Sequence, residues 1–327
     1  MTSVGYLLSS GVAFPPFLRW PVRQGSAQKS LIRGSALEKF GRPVSLLAWG
    51  LNEEGLVEAF LDRAFALLEA NVLDFEIVFV DDGSTDRTPE LLAAYARKEP
   101  RLRVITHERN YNVGIACRTA VSNASKEFLF WQTVDWSYDL TKLRTFLELL
   151  NHFDVVQGIR PVPIRLLSYI PVLRSIYRVN KRSDSLYKAL VSLGNYYLLR
   201  LLFGAKFHDF QNITFYPTRL AHSLDMVGRT SFVNPEFLLK SYARGARIIE
   251  VPIRFIARTQ GEAKGTKLRT VIRSVIDTFR NWFRWGLQYR RELKRNASNL
   301  RIWRVAEPFV LNREVLQIII PLFEDFR

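Results

Sequence analysis

Short continuous apolar runs alternate along the chain with stretches whose apolar positions recur at helical spacing. Residues 44–49 read as a buried strand, and over residues 53–70 Leu56, Phe60, Ala64, Leu67 and Leu68 line one helical face. A second buried run, residues 76–80, leads straight into Asp81-Asp82-Gly83-Ser84. Thr88-Pro89-Glu90 opens the next helix, with Pro89 in the first turn, where its missing N–H costs nothing. A strand at 103–106, a helix over 113–122 and strands at 128–134 and 154–158 follow. Strands separated by short helices predict βαβ units, hence the α/β class and a Rossmann-like, mostly parallel sheet with flanking helices.

The pattern changes after Arg160. Residues 161–180 are basic and irregular, and residues 185–203 form a long helical stretch. A short strand at 213–216, a helix near 235–244 and a strand over 247–255 complete the predicted core. Residues 1–42 mix Gly, Ser, Pro and basic residues without a period and read as a loosely held arm. The predicted organisation is this arm, one domain over 43–264, and a basic, amphipathic helical appendage over 265–327.

Composition narrows the partners. Of 327 residues 48% are apolar and 24% charged, so a full hydrophobic core is expected and wholesale disorder is excluded. The 47 Lys and Arg against 31 Asp and Glu leave a net charge of +16, which favours an anionic partner. No nucleic-acid-binding module accompanies that charge, so nucleic acid is not the expected partner. The single cysteine, Cys117, excludes an intrachain disulfide framework. The longest apolar runs, such as residues 318–323, fall short of the ~20 residues of a spanning helix. The first charge is Arg19, and Ser9, Ser10, Gly11 and Pro15-Pro16 break the stretch before it, so no signal peptide is expected. The expectation is a cytoplasmic protein, peripheral on the membrane.

Ligands of open α/β sheets bind beyond the carboxyl ends of the strands. Glu53, the pair Asp81-Asp82 and Asp135 all fall at such predicted ends. Neither G-x-G-x-x-G nor G-x-x-x-x-G-K-[ST] is present, which removes the main support for dehydrogenase and P-loop readings. A nucleotide site built from carboxylates needs another phosphate neutraliser, and a divalent metal held by Asp supplies one. The four histidines, His107, His152, His208 and His222, lack ligand spacing and read as structural.

Asn52-Glu53-Glu54, then Val80-Asp81-Asp82-Gly83-Ser84-Thr85-Asp86, then Asn112-Val113-Gly114 and Asp135, resemble the family 2 inverting glycosyltransferases of GT-A fold. Within that family the chain is similar to dolichyl- and polyprenyl-phosphate sugar synthases. Gly158-Ile159-Arg160, Lys188 with Ser192, Asp209, Glu250-Val251-Pro252 and residues 258–264 carry that likeness. Ala263 stands where the tail motif R-x-x-G-x-S-K has serine. The resemblance implies a hexosyltransferase of cell-envelope biosynthesis moving a sugar from a nucleotide diphosphate sugar to a lipid phosphate. Asn52, Glu53, Asp81, Asp82, Asn112 and Gly114 would bind the donor, and Asp135 and Arg160 would serve catalysis. Arg160, Lys188 and Ser192 would grip the acceptor phosphate, and Asp135 and Asp139 would hold Mg²⁺ or Mn²⁺. Ser137 replaces the second aspartate of the family's D-x-D motif, so metal binding should be weak.

Two alternatives stay open at this level: a glycan hydroxyl as acceptor, and a catalytically silent GT-A scaffold. A hydroxyl acceptor needs a general base, for which Glu236 is the nearest candidate. Residues 267–295 carry nine Lys/Arg and two acids, Asp277 and Glu292. Val271, Ile272, Val275, Ile276, Phe279, Trp282 and Phe283 are expected on one face, with Arg269, Arg273, Arg280 and Arg284 on the other. That composition fits a helix lying in an anionic membrane interface or one packing its apolar face on the domain.

Overall fold

The computed structural model describes residues 39–159, 186–254, 256, 268–296, 300–304 and 318. Arg160, the basic stretch at 161–180, the motif at 258–264 and residues 1–38 lie outside them.

The strands are β1 (Val44–Gly50), β2 (Phe75–Asp81), β3 (Leu102–Thr106), β4 (Phe128–Trp131), β5 (Val155–Ile159), β6 (Thr214–Pro217), β7 (Ile248–Pro252) and β8 (Ile302–Arg304). They form one sheet in the order β3-β2-β1-β4-β6-β5-β7-β8. Every pairing among these strands is parallel except those of β6, which runs antiparallel to both β4 and β5. The helices are α1 (Val57–Asn71), α2 (Thr88–Lys98), α3 (Val113–Asn123), α4 (Leu143–Leu149), α5 (Leu186–Phe203), α6 (Thr218–Ser223), α7 (Val233–Ala243), α8 (Leu268–Asn281) and α9 (Leu287–Arg295). A π-helical turn, Trp282–Gly286, joins α8 to α9.

Both faces of the sheet are covered, which is why β1 and β2 read as unbroken apolar runs rather than alternating ones. Along β1, Val44, Leu46 and Ala48 pack against α1 and its neighbours, while Leu47 turns to the opposite layer. That second layer holds Ala116, Cys117 and Ala120 of α3, Leu199 and Phe203 of α5, and Phe237 of α7. Burial pushes the Cys117 thiol well above its usual range, in keeping with a packing role.

Several polar groups are buried as well, among them Glu76 of β2. Its carboxylate accepts from Ser45 Oγ at 2.7 Å, Ser125 N at 2.6 Å and Ser125 Oγ at 3.0 Å, at the amino end of the sheet. Burial alone would raise its pKa, but these bonds and the Arg103 charge outweigh it and hold the group below the usual glutamate range.

Candidate active site

The sheet order reverses direction between β1 and β4. Gly50 lies opposite Asp81 and Leu47 opposite Trp131, all in parallel register. The loops carrying Asp82, Asn52-Glu53 and Asp135 therefore leave one edge of the sheet side by side. Strand spacing sets the first and last roughly 10 Å apart, the width of a small ligand. This is the switch point at which open α/β sheets bind ligands.

Backbone strain collects at the same edge. Among the described residues, non-glycine positive φ occurs at Asn52 (55°), Asn112 (77°) and Trp136 (55°). One follows β1, one precedes α3 and one follows β4. Asn112, with ψ 158°, lies outside the left-handed helical well that asparagine tolerates, so there and at Trp136 the backbone stores on the order of 1–3 kcal/mol. Packing holds Trp136 there: its ring meets Phe60 at 5.7 Å, and the Arg63 guanidinium lies 4.4 Å from its centroid.

A hydrogen-bond lattice fixes the first two loops to each other. Asn52 N donates to Ser84 Oγ at 2.8 Å, and Asn52 Oδ1 accepts from Thr85 N at 2.8 Å. Glu53 N donates to Thr88 Oγ1 at 2.8 Å, and Glu54 accepts from Arg87 N at 3.1 Å. The Glu53 side chain folds back over Gly50, where a Cβ would stand 2.9 Å from Glu53 Cγ. Gly83 has no alternative either, because its φ is 77° and a Cβ would lie 2.4 Å from the Arg109 carbonyl carbon.

The two adjacent aspartates differ. Asp81 is fully buried; its Oδ1 accepts from Ser84 Oγ and Ser84 N, while Oδ2 is buried without a hydrogen-bond partner. Such an orphaned carboxylate oxygen is costly unless a ligand donor meets it. Asp82 Oδ1 accepts from Tyr111 N at 3.0 Å and from His107 Nδ1 at 2.7 Å. An ionised carboxylate only accepts, so Nδ1 carries the proton, leaving Nε2 to face Thr119 Oγ1 at 3.0 Å.

The family model described as glycosyl transferase family 2 matches residues 51–201. The chain carries a family 2 glycosyltransferase domain. Over 247 residues it is 26% identical to the dolichyl-phosphate beta-glucosyltransferase of Trichomonas vaginalis, covering 72% of this chain and 70% of that one. It is 24% identical over 225 residues to the undecaprenyl-phosphate 4-deoxy-4-formamido-L-arabinose transferase of Edwardsiella ictaluri, covering 68% of this chain and 62% of that one. Its fold matches glucosyl-3-phosphoglycerate synthase of Mycobacterium tuberculosis. The structure of that protein with UDP superposes with a TM-score of 0.53 at 16% identity, over 74% of this chain and 80% of that one. The structure with Mn²⁺, UDP and phosphoglyceric acid gives 0.50 at 15% identity, over 74% and 78%.

In this glycosyltransferase domain the loop after β4 departs from a simple two-carboxylate clamp. Asp135 Oδ1 accepts from Ser137 Oγ at 2.7 Å. Asp139 Oδ1 accepts from Thr141 N at 3.0 Å and Thr141 Oγ1 at 2.8 Å, a turn contact just ahead of α4. No three His, Cys, Asp or Glu come together as a metal site among the described residues. A Mg²⁺ held here by Asp135 would need phosphate oxygens and water to complete its shell.

Gly114 has a packing reason to be glycine: a Cβ would stand 2.4 Å from the Arg229 carbonyl carbon, and Gly114 N donates to Arg229 O at 3.2 Å. Asn112, at the mouth of α3, is set by its own strained turn and by Asn112 N donating to Asn110 Oδ1 at 2.8 Å. Lys188 and Ser192 fall on α5, and Arg160 follows β5 outside the described residues. Glu236 is not available as a base. It is fully buried, accepts from Gly228 N at 2.7 Å and pairs with Lys240 at 2.7 Å.

His107, with a ring that bonds Asp82 and faces Thr119, is tied to the acidic loop in a way its sequence neighbours do not show. Lacking ligand spacing, it reads as structural. The signal was its position, directly after β3 and level with Asp81-Asp82 on the neighbouring strand.

Proposed function

We propose that this glycosyltransferase moves a hexosyl group, with inversion, from a nucleotide diphosphate sugar to a polyprenyl phosphate at a membrane surface. The observation that carries the reading is the meeting of three acidic loops at the switch point, with the strained Asn52, Asn112 and Trp136 all on that edge. Asp81, with its unpartnered Oδ2, and Asp82 with Asn52 and Glu53 form the donor-binding wall. The T. vaginalis and E. ictaluri relatives, named for dolichyl- and undecaprenyl-phosphate, support the acceptor class.

A phosphate acceptor is anionic at neutral pH. Its oxygen attacks the anomeric carbon, the new C–O bond forms as the bond to the β-phosphate breaks, and the nucleoside diphosphate leaves. No proton has to be removed, which agrees with the engagement of Glu236 in structural bonds. Asp135 would hold Mg²⁺ or Mn²⁺ against the diphosphate, where the ion offsets the charge developing on the leaving group. Arg160, Lys188 and Ser192, which match the acceptor-phosphate positions of the resembling synthases, would grip the acceptor phosphate. No helix among the described residues is long and apolar enough to cross a membrane.

Incubating the protein with radiolabelled uridine and guanosine diphosphate sugars, polyprenyl phosphate vesicles and Mn²⁺ tests this. Organic-phase label is expected, and Asp135→Asn or excess EDTA should lower it at least a hundredfold. Label passing only to glycan hydroxyls would reject the acceptor, and donor binding without any transfer would make the domain a silent scaffold.

A further inference from the structure

Helix α8 turns polar groups toward the domain, whereas Trp282, Trp285 and Tyr289 beyond it pack on the core. The buried residues of α8 are Asp277, Thr278 and Asn281. Asp277 Oδ2 accepts from Arg229 N at 2.9 Å, Thr230 N at 3.0 Å and Thr230 Oγ1 at 2.9 Å. Asn281 Nδ2 donates to Asp277 Oδ1 at 3.1 Å, and Ser274 Oγ meets Ser231 Oγ at 3.1 Å. The helix thus packs on the domain through polar groups. Its large aliphatic and aromatic side chains face away: Leu268, Ile272, Ile276, Phe279, Phe283 and Leu287 are all exposed, Phe283 by 74%.

A globular protein gains nothing from this orientation in water, because burying those side chains is the ordinary driving force for a helix to pack. The six positions recur at three- and four-residue intervals, so they form one stripe. Through the π turn the segment Leu268–Arg295 extends about 40 Å. Exposed Arg269, Arg273, Arg280 and Arg284 run beside the stripe, and the one acid between 268 and 284, Asp277, points inward. Neighbouring α5, joined to the π turn through Phe203 against Trp282 and Trp285, adds exposed Tyr197 and Leu201.

We infer that this outward stripe is a docking face for an anionic lipid bilayer, with Leu268, Ile272, Ile276, Phe279, Phe283 and Leu287 entering the interface and the flanking arginines meeting lipid headgroups. The charge pattern selects this occupant. A second copy on the same face brings the same arginines and no exposed acid between 268 and 284 to meet them, whereas an anionic leaflet supplies the complementary charge. The inference deepens the lipid-acceptor reading by naming the face that carries the enzyme to its acceptor. It fails separately from that reading, because vesicle binding needs neither acceptor nor donor.

Trp282 is not part of the face. It packs on Phe203 and over Gly286, where a Cβ would lie 2.2 Å from Trp282 Cε3. The informative variant is therefore Ile276→Asp with Phe283→Glu. The full chain is sedimented with phosphatidylcholine vesicles with and without an equal part of phosphatidylglycerol, at low and high salt. Binding is expected only with the anionic lipid, to fall as salt rises, and to weaken by roughly tenfold or more in the double variant. The variant should keep the parent's thermal transition, since both side chains are already in water. A second measurement uses Phe283→Cys carrying an environment-sensitive dye, with buried Cys117 left unlabelled. Its emission should shift to the blue on adding anionic vesicles. Unchanged binding by a folded double variant, or no shift of the dye, overturns the inference. So does a parent that ignores vesicles but forms a dimer which the double variant dissociates.

Discussion

Replacing His107 by alanine separates a site residue from a packing residue. Asp82 Oδ1 has two donors, His107 Nδ1 at 2.7 Å and Tyr111 N at 3.0 Å, and both side chains of the His–Asp pair are largely buried, at 11% and 7% exposure. A hydrogen bond to a charged group is worth about 1.5–3 kcal/mol. If the carboxylate loses that restraint, its grip on the donor weakens by roughly ten- to a hundredfold. The loss should appear in KM for the nucleotide sugar and in nucleotide Kd by calorimetry, with kcat changed less than about threefold, since His107 acts through Asp82 and touches no reacting atom. His107→Asn, whose amide can place an N–H near the Nδ1 position, should recover much of the affinity. Equal KM for parent and alanine variant, with Asp82→Asn itself crippled, would refute the assignment. Equal loss of stability in both variants, without rescue of KM by asparagine, would make the histidine structural.

Asp277→Ala removes the acceptor for Arg229 N, Thr230 N and Thr230 Oγ1 and leaves two backbone N–H groups without it. About 2–5 kcal/mol of stability should be lost in urea unfolding, with weaker donor binding because Gly114 packs on the Arg229 backbone; a loss under about 1 kcal/mol would show that water replaces the carboxylate. Glu76 is held below the usual glutamate range, so its contribution is complete above that range and lost as pH falls through the lowered folded value. Glu76→Gln should therefore flatten the acid limb of stability in urea titrations across that window, and an unchanged slope would contradict the stated cause.

Alternating strand and helix periods determined the α/β class and placed most elements to within a few residues, because burial on both faces of a parallel sheet leaves unbroken apolar runs that are easy to read. The same reading put Glu53, Asp81-Asp82 and Asp135 at strand ends, since a loop must leave where the apolar run stops. It could not tell that β6 enters antiparallel between β4 and β5, because four residues carry no record of direction. β8, three residues long, has too few positions for a period. Asp135 and Asp139 are four apart in sequence, but the left-handed turn at Trp136 and the Asp139–Thr141 contact decide where each carboxylate stands. His107 and Asp82 meet only because β3 pairs with β2. The sequence also showed that the C-terminal helix has an apolar stripe and a row of arginines. Which side faces the protein was decided by tertiary bonds: Asp277 accepts from three donors of the 229–230 turn, and that fixes the helix with its apolar stripe outward.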